Sequence, residues 1–258
     1  MKKNNSVIAK KKYGQNFISD PKLIGKIIDF VQPEGKNIIE IGPGLGALTQ
    51  HLANKANIFK AFEIDPDMVE HLLLNKILTT EQIVNQDFLT ADLANFKNYD
   101  IVGNIPYYIT SEILLKIFDH RHNFNQFTLM VQDEVANRLV AKPNSHDYSK
   151  LSLTCQYVAD VEKVLFVDKK YFEPIPKVDS AIVTIKFKHQ HDDNYENIKD
   201  FFKLCFLARR KKLSFSLKRA YKLEQISNAY SKLGFEDNIR IQQLSLEQIL
   251  NLFKELNS

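Results

Sequence analysis

The stretch "IIEIGPGLGALTQHL", residues 38–52, decides the fold. A short apolar run ends at Ile41, glycines follow at 42, 44 and 46, and a helix-like pattern begins. Glycine permits a tight turn and lets a ligand approach the backbone closely, as the first strand-to-helix turn of a nucleotide-binding α/β domain requires. Gly42, Gly44 and Ala47 also satisfy the relaxed dinucleotide pattern. On this loop alone a nicotinamide enzyme and a plain strand-to-helix turn both stay open.

Outward from this loop, short β-branched runs alternate with helical patterns. "NIIEI" (37–41), "NIFKAFEI" (57–64), "QIV" (82–84), "DIVGN" (100–104), "FTLMV" (127–131), "VEKVLFV" (161–167) and "SAIVTIKF" (180–187) read as strands. Asp20-Pro21 and Asp65-Pro66 each place a capping carboxylate before a proline suited to the first helical position. Leu23, Ile24, Ile27, Ile28 and Val31 then keep one apolar face. The alternation predicts an α/β domain, a mostly parallel sheet with helices on both faces. After Phe187 the polar segment 188–200 reads as a linker, in which His189 and His191 lack a third metal ligand. Beyond it only helical patterns remain, the last opening on the capping-box pair Ser245 and Gln248.

Composition narrows the class. The 258 residues are 44% hydrophobic and 26% charged, which suits one large and one small globular domain. No apolar run is long enough to span a bilayer, and no signal-like segment opens the chain, so no membrane role is expected. Cys155 and Cys205 stand alone, which points to no disulfide framework and no metal, and to a reducing, cytoplasmic setting. The net charge of +4 is unevenly spread. Lys2, Lys3, Lys10, Lys11 and Lys12 form one acid-free block. Arg209, Arg210, Lys211, Lys212, Lys218, Arg219 and Lys222 form another. Such clusters suit a polyanionic partner, with a solvated surface as the alternative.

Three positions point to an adenosine ligand. Glu63 ends the second strand 21 residues after Gly42, where a carboxylate accepts ribose hydroxyls. Asp87, in "NQDFLT", suits an adenine amino group or a turn cap. "NIPY", Asn104-Ile105-Pro106-Tyr107, ends the fourth strand. An adenine N6 amine is a poor nucleophile because its lone pair is delocalised into the ring. The Asn104 side-chain carbonyl and a backbone carbonyl held by Pro106 could each accept one amine hydrogen, with the Tyr107 ring stacked on an extruded base. This pattern suits methyl transfer from S-adenosylmethionine. Without a substrate in view, it equally describes a rigid strand-to-helix turn.

These motifs, with "KKYGQNFISDP" (11–21), "EIGPGLGALT" (40–49), "EIDPDM" (63–68), "GNIPYYITSEILL" (103–115), "VQDEVANRLVAKPNSHDYSKLSL" (131–153), "FEPIPKVDSAIV" (172–183) and "RRKKLSFSL" (209–217), resemble the ribosomal RNA adenine N6-dimethyltransferases, in the branch acting on small-subunit RNA. The chain departs from the family pattern at Tyr108 and Phe215. The resemblance implies a class I S-adenosylmethionine-dependent methyltransferase fold with an antiparallel last strand, plus a small all-α C-terminal domain. It places cofactor contacts on Asn16, Ile18, Gly42, Gly44, Glu63, Asp87 and Asn104, and catalysis on Asn104, Ile105, Pro106 and Tyr107. Phe172 becomes a second aromatic wall of the base pocket, and Arg209, Arg210, Lys211 and Lys212 the RNA contacts.

The expected organisation is a basic flexible tail over 1–12, a catalytic domain over 13–188 and a helical RNA-recognition domain over 195–258. The implied reaction is dimethylation of N6 on two adjacent adenosines near the 3′ end of small-subunit ribosomal RNA, by a monomer acting on an assembling particle. The alternatives are the antibiotic-resistance branch acting on large-subunit RNA, and a non-catalytic RNA-binding assembly factor.

Overall fold

The computed structural model describes residues 9–188 and 194–258. Lys2 and Lys3 of the expected tail, and His189 and His191 of the expected linker, lie outside the described residues.

Among the described residues nine strands are formed: β1 (Phe17–Ile18), β2 (Asn37–Ile41), β3 (Ile58–Glu63), β4 (Ile83–Asn85), β5 (Tyr99–Asn104), β6 (Phe124–Gln132), β7 (Ala159–Val167), β8 (Phe172–Glu173) and β9 (Ser180–Phe187). Seven of them make one sheet in the order β4-β3-β2-β5-β6-β9-β7, while β1 and β8 pair separately. The pairs β2–β3, β2–β5, β3–β4 and β5–β6 are parallel, and β9 runs antiparallel to β6. This is the doubly wound sheet expected, with its antiparallel late strand. Parallel strands covered on both faces lack a polar side, which explains why "NIIEI" and "DIVGN" read as continuous apolar runs.

The sheet order reverses between β2 and β5, and ligands of open α/β sheets bind outside the strand ends at such a point. Gly103 makes this pairing possible. A Cβ there would lie 2.8 Å from the Ile41 carbonyl oxygen, closer than real Cβ atoms come.

Among the described residues, the helices up to the end of the sheet are α1 (Pro21–Val31), α2 (Thr49–Leu52), α3 (Pro66–Leu74), α4 (Thr110–Asp119), α5 (Asp133–Leu139) and α6 (Lys150–Val158). The caps read from the sequence are present. Asp20 Oδ1 accepts from Leu23 N at 2.7 Å, and Asp65 Oδ1 from Asp67 N at 3.2 Å. The apolar face of α1 (Leu23, Ile24, Ile27, Ile28, Val31) is buried in a core with Ile38, Leu52, Phe59 and Leu72. At roughly 1.5–3 kcal/mol per fully buried aliphatic side chain, that face outweighs the weak intrinsic stability of an 11-residue helix.

The chain divides into two compact units, one ending at Ala136 and resuming over Val161–Phe187, the other comprising Asn137–Asp160 and Lys188–Ser258. The sequence boundary at 188–195 differs from this division. The segment 137–160 packs with the C-terminal helices because Tyr148 and Leu153 are buried in the same core as Phe201, Phe202, Leu217 and Leu252. Tyr148 also donates to the Leu244 carbonyl at 3.0 Å. The second unit adds α7 (Tyr195–Phe206), α8 (Leu213–Leu217), α9 (Leu223–Leu233) and α10 (Leu246–Leu256). The α10 capping box forms in both directions, Gln248 N to Ser245 Oγ at 3.2 Å and Ser245 N to Gln248 Oε1 at 2.9 Å. α7 begins at Tyr195, inside the segment read as linker, where Tyr195 and Ile198 supply buried apolar contacts.

Candidate active site

A cavity of about 200 Å³ opens at the carboxyl ends of β2, β3 and β5. Asn16, Ile18, Gly42, Gly44, Glu63, Asp87, Asn104, Ile105, Pro106 and Tyr107 all border it.

The glycine loop forms its floor. Gly42, Gly44 and Gly46 have φ of 68°, 56° and 87°, which L side chains rarely adopt. A Cβ on Gly44 would also stand 3.1 Å from the Phe17 ring. Gly42 N donates to the Phe62 carbonyl at 2.9 Å, which ties the loop to the end of β3.

Glu63 is held rather than free. Its Oε2 accepts from Gly44 N at 3.2 Å and its Oε1 from Asp65 N at 2.9 Å. Burial raises its pKa, and these two N–H groups oppose the rise. Glu40, one strand over, also borders the cavity, and its Oε2 is buried without a hydrogen-bond partner. Burial, with the charge of Glu63 adding, pushes its carboxyl up to about 8. Sequence reading passed over Glu40 because a glutamate inside an apolar strand carries no motif of its own. Asp87 caps the turn at 88–90, with Oδ1 accepting from Leu89 N at 2.9 Å, and borders the cavity as well. The turn-cap reading is thus present in the structure.

The residues before α1 close one side. Lys10 lies in the expected flexible tail, yet its Nζ is 2.7 Å from Asp65 Oδ1 and 2.5 Å from Asp67 Oδ2. Gln15 Nε2 donates to Asp65 Oδ2 at 3.0 Å and Gln15 Oε1 accepts from Lys10 N at 2.8 Å. Burial opposes ionisation of Asp65, but the Lys10 and Gln15 hydrogen bonds prevail and hold its pKa low. These contacts correct the tail boundary: the chain is tethered from Lys10 onward because a fully buried carboxylate needs partners. Asp65 combines this tethering with capping α3, a double role that its motif alone did not reveal.

The turn expected to be catalytic follows β5. Asn104 Nδ2 donates to the Asn16 carbonyl at 2.8 Å. Ile105 is 1% exposed, and its N–H donates to the Met130 carbonyl at 3.2 Å. The Pro106 carbonyl accepts from Ile109 N and from Thr110 Oγ1, each at 3.2 Å, at the start of α4. Tyr107 OH lies 2.6 Å from Ser180 Oγ, which fixes the ring at the cavity edge, and burial raises its pKa. Tyr108 is 62% exposed, and its ring packs over Gly14.

The remaining expected residues are Phe172 and the basic cluster of the helical domain. Phe172 does not border the cavity. It pairs with Ile18 across the β1–β8 ladder and is buried at 3% exposure in the apolar core with Met130 and Val167. Arg209, Arg210, Lys211 and Lys212 belong to the second unit. Arg210, Lys211 and Lys212 are exposed, but Arg209 Nη2 donates to the carbonyls of Ser145 at 3.2 Å and His146 at 2.6 Å. Arg209 therefore fastens the 143–149 loop.

The profile of the family described as ribosomal RNA adenine dimethylase matches residues 7–258. The "Ribosomal RNA small subunit methyltransferase A" of Mycoplasmopsis synoviae is 49% identical over 253 residues, covering 96% of this chain and 97% of the relative. Its namesake in Mycoplasmopsis pulmonis is 43% identical over 251 residues, covering 96% and 99%. Among solved structures, a dimethyladenosine transferase from Plasmodium falciparum superposes with a TM-score of 0.79 at 25% identity, covering 93% of this chain and 97% of its own. The 23S rRNA methyltransferase ErmE superposes with a TM-score of 0.72 at 30% identity, covering 94% and 100%.

Proposed function

The chain belongs to the ribosomal RNA adenine dimethylase family, and from that premise we propose that it dimethylates N6 of two adjacent adenosines near the 3′ end of small-subunit ribosomal RNA. The observation that carries this reading is the place of Asn104, held by its Nδ2 bond to the Asn16 carbonyl, with Ile105, Pro106 and Tyr107 on the border of the cavity that the glycine loop and Glu63 also line. The choice of small-subunit RNA rests on relatives of that name at 43–49% identity.

S-adenosylmethionine supplies the methyl group as an electrophilic sulfonium. The residues present fit it: the glycine floor admits close backbone approach, Glu63 can accept from ribose hydroxyls, and the buried Glu40 borders the same cavity. The Asn104 and Ile105 carbonyls accept the two hydrogens of the adenine amine and so direct its lone pair away from the ring. The Tyr107 ring stacks on the base while Ser180 holds its hydroxyl. Catalysis is orientation and electrostatics, with no side chain needed as a strong base. After one transfer a single N–H remains, and either carbonyl can hold it for the second. The enzyme works as a cytoplasmic monomer on an assembling particle, using Arg210, Lys211 and Lys212 for phosphate contacts.

The test is methyl transfer from labelled S-adenosylmethionine to small subunits from cells lacking this protein, followed by site mapping. Two adjacent dimethylated adenosines are expected. Label on large-subunit RNA would favour the other branch, which the likeness to a 23S rRNA methyltransferase keeps in play. RNA binding without transfer would mark a non-catalytic assembly factor.

A further inference from the structure

Lys116 lies on α4 three residues after Ile113, so the two share a helix face, and Ile113 borders the cavity. A lysine on a helix ordinarily carries its ammonium out to water. Lys116 instead reaches a different element. Its Nζ donates to the Leu89 carbonyl at 2.8 Å and to the Ala91 carbonyl at 2.6 Å, and it lies 5.7 Å from the centre of the Phe88 ring. All three contacts fall on the short segment 88–91 that follows Asp87. Burial lowers the pKa of Lys116, and the charges of Asp87 and Asp92 oppose that fall.

Leu89 is bonded from both sides. Its N–H donates to Asp87 Oδ1 at 2.9 Å, and its carbonyl accepts from Lys116. Thr90 Oγ1 donates to the Asp87 carbonyl at 3.0 Å, and Ala91 N to the Phe88 carbonyl at 3.2 Å. These local bonds set the shape of the turn, while Lys116 ties it to α4, which begins at Thr110 just beyond the 104–107 turn. Phe88 is 4% exposed and meets Phe62 edge-on with ring centres 5.5 Å apart. Both rings border the cavity, as Asp87 does.

We propose that Lys116 is a positioning residue for the cofactor: by holding the Leu89 and Ala91 carbonyls it sets the place of Asp87, and with it the preference for a cofactor that carries the adenine amino group. The proposal rests on the reading of Asp87 as the acceptor of that amine, within the methyltransferase function proposed above. Lys116 does not border the cavity, so its effect passes through Leu89. An ammonium suits the task, since it can donate to two carbonyls at once through charge-assisted hydrogen bonds. A lysine that only supported the fold would lower affinity for every occupant of the cavity alike. One that acts through Asp87 changes the part of the affinity that the amine supplies.

The test compares wild type with Lys116→Met and Lys116→Arg in the full chain. Titration calorimetry measures affinity for S-adenosylhomocysteine and for its analogue with hydrogen in place of the adenine amine. Wild type should prefer the amine about tenfold, the worth of one hydrogen bond to a charged acceptor. Lys116→Met should shrink that preference to about threefold or less by losing affinity for S-adenosylhomocysteine, while the analogue binds nearly as before. Lys116→Arg, which keeps a cation and several donors, should restore most of the preference. In steady-state methylation by Lys116→Met, the KM for S-adenosylmethionine should rise more than kcat falls. Lys116→Gln, a shorter neutral donor, repeats the comparison if Lys116→Met does not fold. The wild-type preference persisting in the folded Met or Gln variant would overturn the proposal. So would an equal loss of affinity for both ligands, which would make Lys116 a support of the fold alone. Equal binding of both ligands by wild type would remove the adenine assignment of Asp87, and the proposal with it. If wild type binds S-adenosylhomocysteine but transfers no methyl group, the enzymatic reading fails, and the calorimetric comparison still decides the role of Lys116.

Discussion

The Asn104 amide nitrogen lies 2.8 Å from the Asn16 carbonyl oxygen, so the residue that ends β5 is oriented by a residue 88 positions earlier. This bond engages the donor end of the amide of a residue that borders the cavity. It also couples the 104–107 turn to the segment that Lys10 and Gln15 tether to Asp65. The turn and this segment are therefore one hydrogen-bonded assembly.

Glu63→Ala should weaken S-adenosylmethionine binding about 10- to 100-fold, which corresponds to losing roughly 1.5–3 kcal/mol of charge-assisted hydrogen bonding. It also leaves Gly44 N and Asp65 N without their acceptor. Titration calorimetry measures the affinity. Glu63→Gln, which keeps one carbonyl acceptor, should fall between wild type and Ala, whereas wild-type affinity in both variants would remove the ribose assignment.

Glu40 should make stability depend on pH. Its folded pKa of about 8 lies above the ordinary value of 4.5, so the folded state holds this proton more tightly. Its contribution is fully present below about pH 4.5 and is lost as pH rises toward about 8, at no more than roughly 1.4 kcal/mol per pH unit. Chemical denaturation between these pH values should show a shallower decline in Glu40→Gln than in wild type. Parallel curves would mean that the carboxyl is charged in the fold.

Much of this was legible from the chain alone. The β2, β9 and α10 boundaries, the Asp20 and Asp65 caps, and the positions of the glycine loop after β2 and of Glu63 at the end of β3 followed from periodicity and local chemistry. The 137–160 segment was not legible, because its helices acquire their packing partners only from residues beyond 188. Lys10 read as a tail because nothing local announces an ion pair with a residue 55 positions away. For Phe172 the residues themselves favour packing, and its pairing with Ile18 and burial in the core agree with that, whereas its place in the base pocket rests on the resemblance alone.

The basic cluster should separate by residue. Replacing Arg210, Lys211 and Lys212 with Ala should weaken RNA binding and flatten its salt dependence, each lost phosphate contact reducing the slope by about 0.7–0.9. Arg209→Ala should instead lower the melting temperature, since the carbonyls of Ser145 and His146 lose their donor. Salt titrations and thermal melts of both variants give the comparison. An unchanged slope in the triple variant would make those residues a solvated surface.

Gly103→Ala should destabilise the first unit by about 1–3 kcal/mol, because the added methyl meets the Ile41 carbonyl on the neighbouring strand. Urea unfolding reports the change. Wild-type stability would show that β2 and β5 separate at little cost.

The most direct test of the account is the rate of the chemical step in Asn104→Ala, measured by single-turnover methylation with excess enzyme and saturating S-adenosylmethionine, with circular dichroism confirming the fold. Removing one of two amine acceptors should slow the step about 100- to 1,000-fold, as the loss of one oxyanion-hole donor does, while RNA affinity changes little. A folded, cofactor-saturated Asn104→Ala enzyme that dimethylates RNA at the wild-type rate would contradict the assignment and leave the Asn104–Tyr107 turn a purely structural feature.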